Sequence, residues 1–382
     1  MLSEDNRPMG LYIHIPFCSS KCDYCDFVSY SMDCKAQQLY LDALFTEIDM
    51  VKDRYNDRSF NSIYIGGGTP SFVYEGFIAS LARKIYSSFH ILEGAEFTIE
   101  VNPSSFTKEK FFEYVQAGIN RISVGVQCID EDVLRSNGRI QSLSNIKETF
   151  KILQSAEFPN VNGDIMIGLP GQTERDVLDT VKFLIRHNVK HLSIYALQIE
   201  RHTMLYNKLR AGKIKPIKDE IMLTIYNSVY RLLKKEGYIR YEVSNFARPN
   251  FESRHNKKYW DDSQYLGLGV SAHSYIDGYR YYNTKRLDTY IDNMANGKTA
   301  VYSKEYISDE KRRTERIMLS LRTTEGLDLA KFKADFNEDL LRSRSEQIKK
   351  LIDLHMLELD GDILRITEDY YYVSNTIIME LL

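Results

Sequence analysis

The stretch "LYIHIPFCSSKCDYCDF", residues 11–27, decides how the chain is read. Its first six residues are a short β-branched and aromatic run ending in proline, the mark of a β-strand. Directly behind that strand come three cysteines, Cys18, Cys22 and Cys25, spaced C-x3-C-x2-C. The rest of the chain holds only Cys34 and Cys128.

Working outward, the strand signal recurs at 62–66 ("SIYIG"), 96–101 ("EFTIEV"), 121–126 ("RISVGV"), 162–167 ("NGDIMI") and 191–197 ("HLSIYAL"). Helical patterns lie near 36–54, 72–89, 107–117, 130–157, 173–188 and 219–236. Thr107 and Thr173 suit N-caps, and Gly118 and Gly237 suit helix stops. A βα unit repeated six times argues for a parallel sheet covered by helices. Six units are fewer than the eight of a closed barrel. The expected fold is therefore α/β, an open or partial (β/α)6 barrel, with a doubly wound sheet as the competing topology. Residues 1–245 form this core. Residues 246–300 break the rhythm with an irregular or short-stranded extension rich in aromatics, Asn and Gly. Residues 301–382 turn helical again, and "LHMLELDGDILRIT" (354–367) reads as a hairpin turning at Asp360-Gly361. Helices before a hairpin suggest a small winged-helix-like domain. That segment carries 13 Lys/Arg against 17 Asp/Glu, which argues against DNA binding.

The whole chain has 382 residues and a formal net charge of −3, with no basic face for nucleic acid. The polar start "MLSEDNRPMG" lacks a signal peptide's apolar core, and no run approaches the ~20 apolar residues of a membrane span. Five cysteines, three of them clustered, are not a disulfide framework. The expectation is a cytoplasmic protein without an integral membrane segment, acting as a monomer or dimer.

Three close thiolates admit several readings. They could be three quarters of a zinc site with His14 as fourth ligand. They could be a redox pair with a bystander. They could also hold three irons of a [4Fe–4S] cluster. In the last case one iron is left open, and the amino and carboxylate groups of S-adenosylmethionine (SAM) can chelate it.

Polar residues at the strand ends favour a ligand site, because α/β barrels place their chemistry there. Gly66, Gly67 and Gly68 follow the second strand and let backbone approach a ligand. Glu100 ends the third strand, Gln127 the fourth, Arg139 follows shortly, and Asp164 lies in the fifth. Carboxylates suit an ammonium group and ribose hydroxyls, and an arginine suits a carboxylate. Cys128 is expected to be a small buried residue, and Cys34 inert.

Together "YIHIPFCSSKCDYCDF" (12–27), "GGGTPS" (66–71), "EVNP" (100–103), "NRISVGVQ" (120–127), "GLPGQT" (168–173), "YEVSNFA" (241–247) and "HNKKYW" (255–260) resemble the coproporphyrinogen dehydrogenase-like branch of the radical SAM proteins. The resemblance runs over nearly the whole chain. It implies Cys18, Cys22 and Cys25 as ligands of a [4Fe–4S] cluster. It implies SAM contacts at Tyr12, Tyr24, Gly67, Gly68, Thr69, Glu100, Gln127, Arg139, Asp164 and Ala196.

That branch holds an enzyme, the oxygen-independent coproporphyrinogen III dehydrogenase, and heme chaperones. The enzyme's motif continues Cys-Gly-Cys, whereas Asp26 and Phe27 follow Cys25 here. This departure, with HNxxYW, places the chain nearer the chaperones. The resemblance then implies heme as cargo and a heme-accepting protein as partner. The alternative is the dehydrogenase, or another radical SAM enzyme acting on a tetrapyrrole. Heme wants an axial ligand and flat apolar walls. His255, Tyr259 and Trp260 are the candidates, with His273 in "SAHSY" a second histidine.

Overall fold

The computed structural model describes residues 7–382. Six parallel strands follow one another across a single sheet: β1 (Met9–Ile15), β2 (Ser59–Gly67), β3 (His90–Val101), β4 (Arg121–Gln127), β5 (Val161–Ile167) and β6 (His191–Ala196). The spatial order equals the sequence order, without the reversal of a doubly wound sheet. β1 and β6 do not pair with each other; β9 (Tyr265–Leu268) flanks one and β8 (Asn245–Ala247) the other. The barrel is therefore partial and open.

Strand alternation explains its two faces. Leu11, Ile13 and Ile15, then Ile63 and Ile65, Phe97 and Ile99, Ile122 and Val124, Ile165 and Ile167, and Leu192 and Ile194 are all buried. This apolar face packs under α1 (Cys34–Val51), α2 (Phe77–Ser88), α3 (Lys108–Gln116), α4 (Glu131–Ser136), α5 (Leu143–Ser155) and α6 (Glu174–Arg186). Thr107 caps α3 by accepting from the Lys110 N–H, and Thr173 caps α6 in a reciprocal box with Asp176. Gly118 and Gly237 end helices at positive φ, as expected. The helix expected over 130–157 is instead two, α4 and α5. Gly138 interrupts it at φ +76°, where a Cβ would stand 2.9 Å from Asp23 Oδ1. The break swings Arg139 inward. Beyond β6 lie α7 (Met204–Arg210), not foreseen, and α8 (Asp219–Lys235).

Residues 246–300 extend the sheet. After β7 (Ile239–Arg240) and β8 come α9 (Arg254–Lys257), β9, then β10 (His273–Ile276) and β11 (Tyr279–Asn283), followed by α10 (Leu287–Ala295), which packs against α1. β12 (Val301–Tyr306) forms the outer edge. The C-terminal segment runs α11 (Asp309–Ser320), β13 (Leu327–Asp328), three helices α12–α14 within Leu329–Asp353, the hairpin β14 (Leu357–Asp360) and β15 (Ile363–Ile366), and a last helix, Ser374–Leu381. Its three strands pair in the order β13-β15-β14. Arg240 ties it to the barrel. The guanidinium lies 3.8 Å from the Tyr371 ring centre and 4.4 Å from that of Tyr230, and donates to the Glu368 carbonyl.

Candidate functional site

The inward face of the six strands is polar. Parallel register carries it from strand to strand: Tyr12 beside Tyr64, Tyr64 beside Thr98, Glu100 beside Ser123, Ser123 beside Asn162, and Asp164 beside Ser193. A filled barrel carries branched aliphatics at such positions. Here they are hydroxyls, amides, carboxylates and imidazoles; Tyr12, Tyr64, Glu100 and Asp164 line cavities, and Thr98, Ser123, Asn162 and Ser193 are buried beside them.

The three-cysteine loop leaves β1 and is pinned on several sides. The Cys18 N–H donates to the Tyr30 carbonyl and the Asp23 N–H to Asn137. Asp23 pairs with Lys208. His14 Nε2 lies 3.1 Å from the Val28 carbonyl and its Nδ1 3.0 Å from the Tyr12 hydroxyl. A carbonyl only accepts, so Nε2 carries the proton and Nδ1 accepts from Tyr12. With both nitrogens taken and burial pulling its pKa to about 4, His14 buttresses the loop rather than completing a zinc site. Among the described residues no three Cys, His, Asp or Glu side chains converge as ligands of one ion. Cysteines of a cubane each bind a different iron and need no such convergence. The Gly67–Thr69 backbone docks against this loop. The Gly68 N–H donates to Ile15 and the Thr69 N–H to Phe17, while Cys18 Sγ sits 3.4 Å from Thr69 Oγ1. A Cβ on Gly68 would meet the Phe17 backbone at 2.8 Å, so only glycine fits. Burial pushes the Cys18 and Cys25 thiols up.

A cavity of about 440 Å³ opens between these loops. All three cysteines line it, as do Tyr24, Gly67, Gly68, Thr69, Glu100, Gln127, Arg139 and Asp164. Tyr12 lies instead in the adjoining chamber. Ala196 is absent from the wall, because strand alternation gives the lining positions to its neighbours Tyr195 and Leu197.

Glu100 accepts from the Tyr64 hydroxyl (2.7 Å) and the Gly67 N–H (3.1 Å). Burial nevertheless raises its pKa to about 7, with the nearby Asp164 adding to the rise. Burial also raises Asp164, against bonds from Ser123 (3.0 Å) and Asn162 (2.8 Å). Asn162 is held in turn by His191 Nδ1 at 2.7 Å. Gln127 adopts φ +64°, a left-handed conformation rare for such a residue, and its Oε1 is buried without a partner. Arg139 gives one nitrogen to the Gly125 carbonyl, while its Nε is buried and unpartnered. Buried polar atoms are almost always paired, so these orphans are shaped for a ligand. Two carboxylates, an arginine, an amide and exposed loop backbone fit a molecule bearing ammonium, carboxylate and hydroxyl groups. That is the donor set SAM requires beside a cluster on the three thiolates.

The second chamber, about 490 Å³, shares Asp26, Phe27, Tyr64, Gly67, Glu100 and Tyr195 with the first. His255, Tyr259, Tyr265, His273 and Lys285 continue its wall. Of the three residues expected from HNxxYW, His255 and Tyr259 line this chamber and Trp260 does not. His255 is buried, its Nδ1 3.0 Å from Ser62 Oγ and its Nε2 3.0 Å from the Tyr259 hydroxyl, so neither nitrogen is free for iron. Trp260 faces a different pocket, with Arg7, Arg316 and Leu327. α9 has a structural duty instead: Glu96 on β3 accepts from Ser253 Oγ and from the Arg254 and His255 N–H groups, each at 3.0 Å. Cys128 is buried, and Cys34 is exposed at the start of α1. Neither lines the cysteine cavity. Tyr64 and Tyr195, central to both chambers, were not singled out from sequence; their place on the inward face is the signal that finds them.

Residues 12–184 match the family described as the radical SAM superfamily, and residues 307–369 match the HemN C-terminal domain. The chain is 31% identical over 376 residues to the heme chaperone HemW of Lactococcus lactis subsp. lactis, covering 98% of each protein. To that of Bacillus subtilis it is 32% identical, covering 86% of this chain and 87% of that one. Among solved structures, Escherichia coli coproporphyrinogen III oxidase (HemN) superposes with a TM-score of 0.86 at 25% identity, covering 98% of this chain and 90% of that one.

Proposed function

The chain belongs to the HemW family of radical SAM proteins, and from that premise we propose that it is a heme chaperone, binding heme and passing it to an acceptor protein. In this reading Cys18, Cys22 and Cys25 hold a [4Fe–4S] cluster. Tyr24, Gly67, Gly68, Thr69, Glu100, Gln127, Arg139 and Asp164 hold SAM on its open iron. When bound, cluster and SAM supply a one-electron reduction that cleaves a sulfonium. The observation that carries the chaperone reading is the second chamber. It is walled by tyrosines and histidines, of tetrapyrrole scale, and shares six wall residues with the cysteine cavity. Among the described residues no helix is long and apolar enough to cross a membrane. The proposed place of work is the cytoplasm, where clustered thiols stay reduced.

The likeness to coproporphyrinogen III oxidase keeps an enzymatic reading in view. Asp26 and Phe27 in place of that enzyme's further cysteine weigh against it. One anaerobic experiment separates the two. The reconstituted protein receives SAM and dithionite, with and without coproporphyrinogen III, and heme is titrated into the same sample. Stoichiometric heme uptake without decarboxylation is the expected result. Conversion of coproporphyrinogen to protoporphyrinogen would overturn the proposal.

A further inference from the structure

We propose that His273, and not the histidine of HNxxYW, is the axial ligand that receives heme iron, with Lys285 beside it for a propionate. The inference rests on the heme-chaperone reading and names the ligand within it.

Three histidines line the second chamber among the described residues. His14 and His255 each have both ring nitrogens engaged. His273 differs. It opens β10 with its side chain exposed in the chamber wall. Its ring lies beside the Ser271 backbone, and it is not tied to a second side chain as His14 is to Tyr12 and His255 to Ser62 and Tyr259. Metal-binding histidines rest one ring N–H on a backbone carbonyl or carboxylate, a role the adjacent Ser271 backbone is placed to fill.

The local backbone is built for this placement. Ser271 takes φ +61°, which a serine adopts only when its surroundings impose it. Its N–H is tied to the Thr284 carbonyl, fixing the turn that presents the accepting carbonyl. Gly267 on the neighbouring strand has no side chain because a Cβ there would collide with the His273 carbonyl. The Tyr282 ring stacks on the imidazole at 5.2 Å and 24° and fixes its plane. Tyr12, Tyr64, Tyr259 and Tyr265 supply the flat walls a porphyrin needs. Lys285 lines the same chamber and is the cation suited to an acidic propionate.

The test is a heme titration of the full chain followed in the Soret and visible bands, comparing wild type with His273→Ala, His273→Met, Lys285→Ala and His255→Ala. The expected result is loss of the histidine-ligand spectrum in His273→Ala, with affinity weakened about tenfold or more. Added imidazole should restore that spectrum. His273→Met should fold and shift the bands to those of a changed ligand. Lys285→Ala should weaken binding with the bands unmoved. An unchanged spectrum and affinity in both His273 variants, or loss of the ligand signature in His255→Ala alone, would overturn the assignment. Failure of the wild type to bind heme would instead remove the chaperone reading on which it rests.

Discussion

Glu100 shows how far one buried side chain can bias the site. The Tyr64 hydroxyl and Gly67 N–H favour its charged form, but burial in the cavity wall outweighs them and its pKa rises to about 7. A carboxyl whose folded pKa stands above its ordinary value of 4.5 binds protons more tightly folded than unfolded. Its stabilising contribution is complete below about pH 4.5 and is lost as pH rises through about 7. Each tenfold difference in proton affinity is worth about 1.4 kcal/mol, so the loss is up to about 3 kcal/mol. Glu100→Gln should remove this dependence. Denaturant unfolding of the ligand-free protein at pH 5 and pH 8 should show the variant gaining on the wild type as pH rises; parallel profiles would mean that Glu100 ionises at an ordinary pKa. The cost of burying this carboxylate is the counterpart of its use, since an ammonium group arriving beside Glu100 restores the charged form.

At the scale of elements, α9 depends on β3. Three donors at its start, the Ser253 hydroxyl and two backbone N–H groups, converge on the Glu96 carboxylate. Glu96→Ala would leave these buried donors unpaired and should cost on the order of 3 kcal/mol by denaturant unfolding, with Glu96→Gln costing less because one acceptor oxygen remains. A loss under about 1 kcal/mol in the alanine variant would show that α9 is held from elsewhere. The same dependence explains what the sequence could and could not reveal. The six strands were legible because their apolar runs end at turns, and Thr107 and Thr173 were legible as caps because capping is local chemistry. The break at Gly138 was not, because a glycine in a helical pattern reads as tolerated until Asp23, a distant residue, is seen to occupy the space of its Cβ. The HNxxYW cluster was legible only in part, for the same reason. Its spacing placed His255, Tyr259 and Trp260 together, but Ser62 and Glu96, remote in sequence, turn the histidine into a structural post. The polar inward face was readable throughout as alternation in each strand. What periodicity lacked was the register that joins Glu100, Ser123 and Asn162 into one wall.

At the scale of the molecule, an open barrel keeps space that a closed one would fill with aliphatic layers. The space is divided into two chambers with six residues in common. Two ligands that press on one wall cannot be energetically independent. SAM in the first chamber would recharge Glu100 and fix Tyr64, which stacks on His255 at 5.2 Å in the wall of the second. Heme should therefore bind the SAM-loaded protein with an affinity changed by about fivefold or more, a typical coupling between sites in contact. Equilibrium linkage adds a check within the same experiment: heme must change SAM affinity by the same factor and in the same direction. Calorimetric titration of each ligand in the presence and absence of the other measures both legs of the cycle. Equal affinities on all legs would show that the chambers act separately and that the shared wall is rigid. A reciprocal shift that disappears in Tyr64→Phe would place the coupling in the Tyr64–Glu100 hydrogen bond, which joins a carboxylate of the shared wall to the ring beside His255.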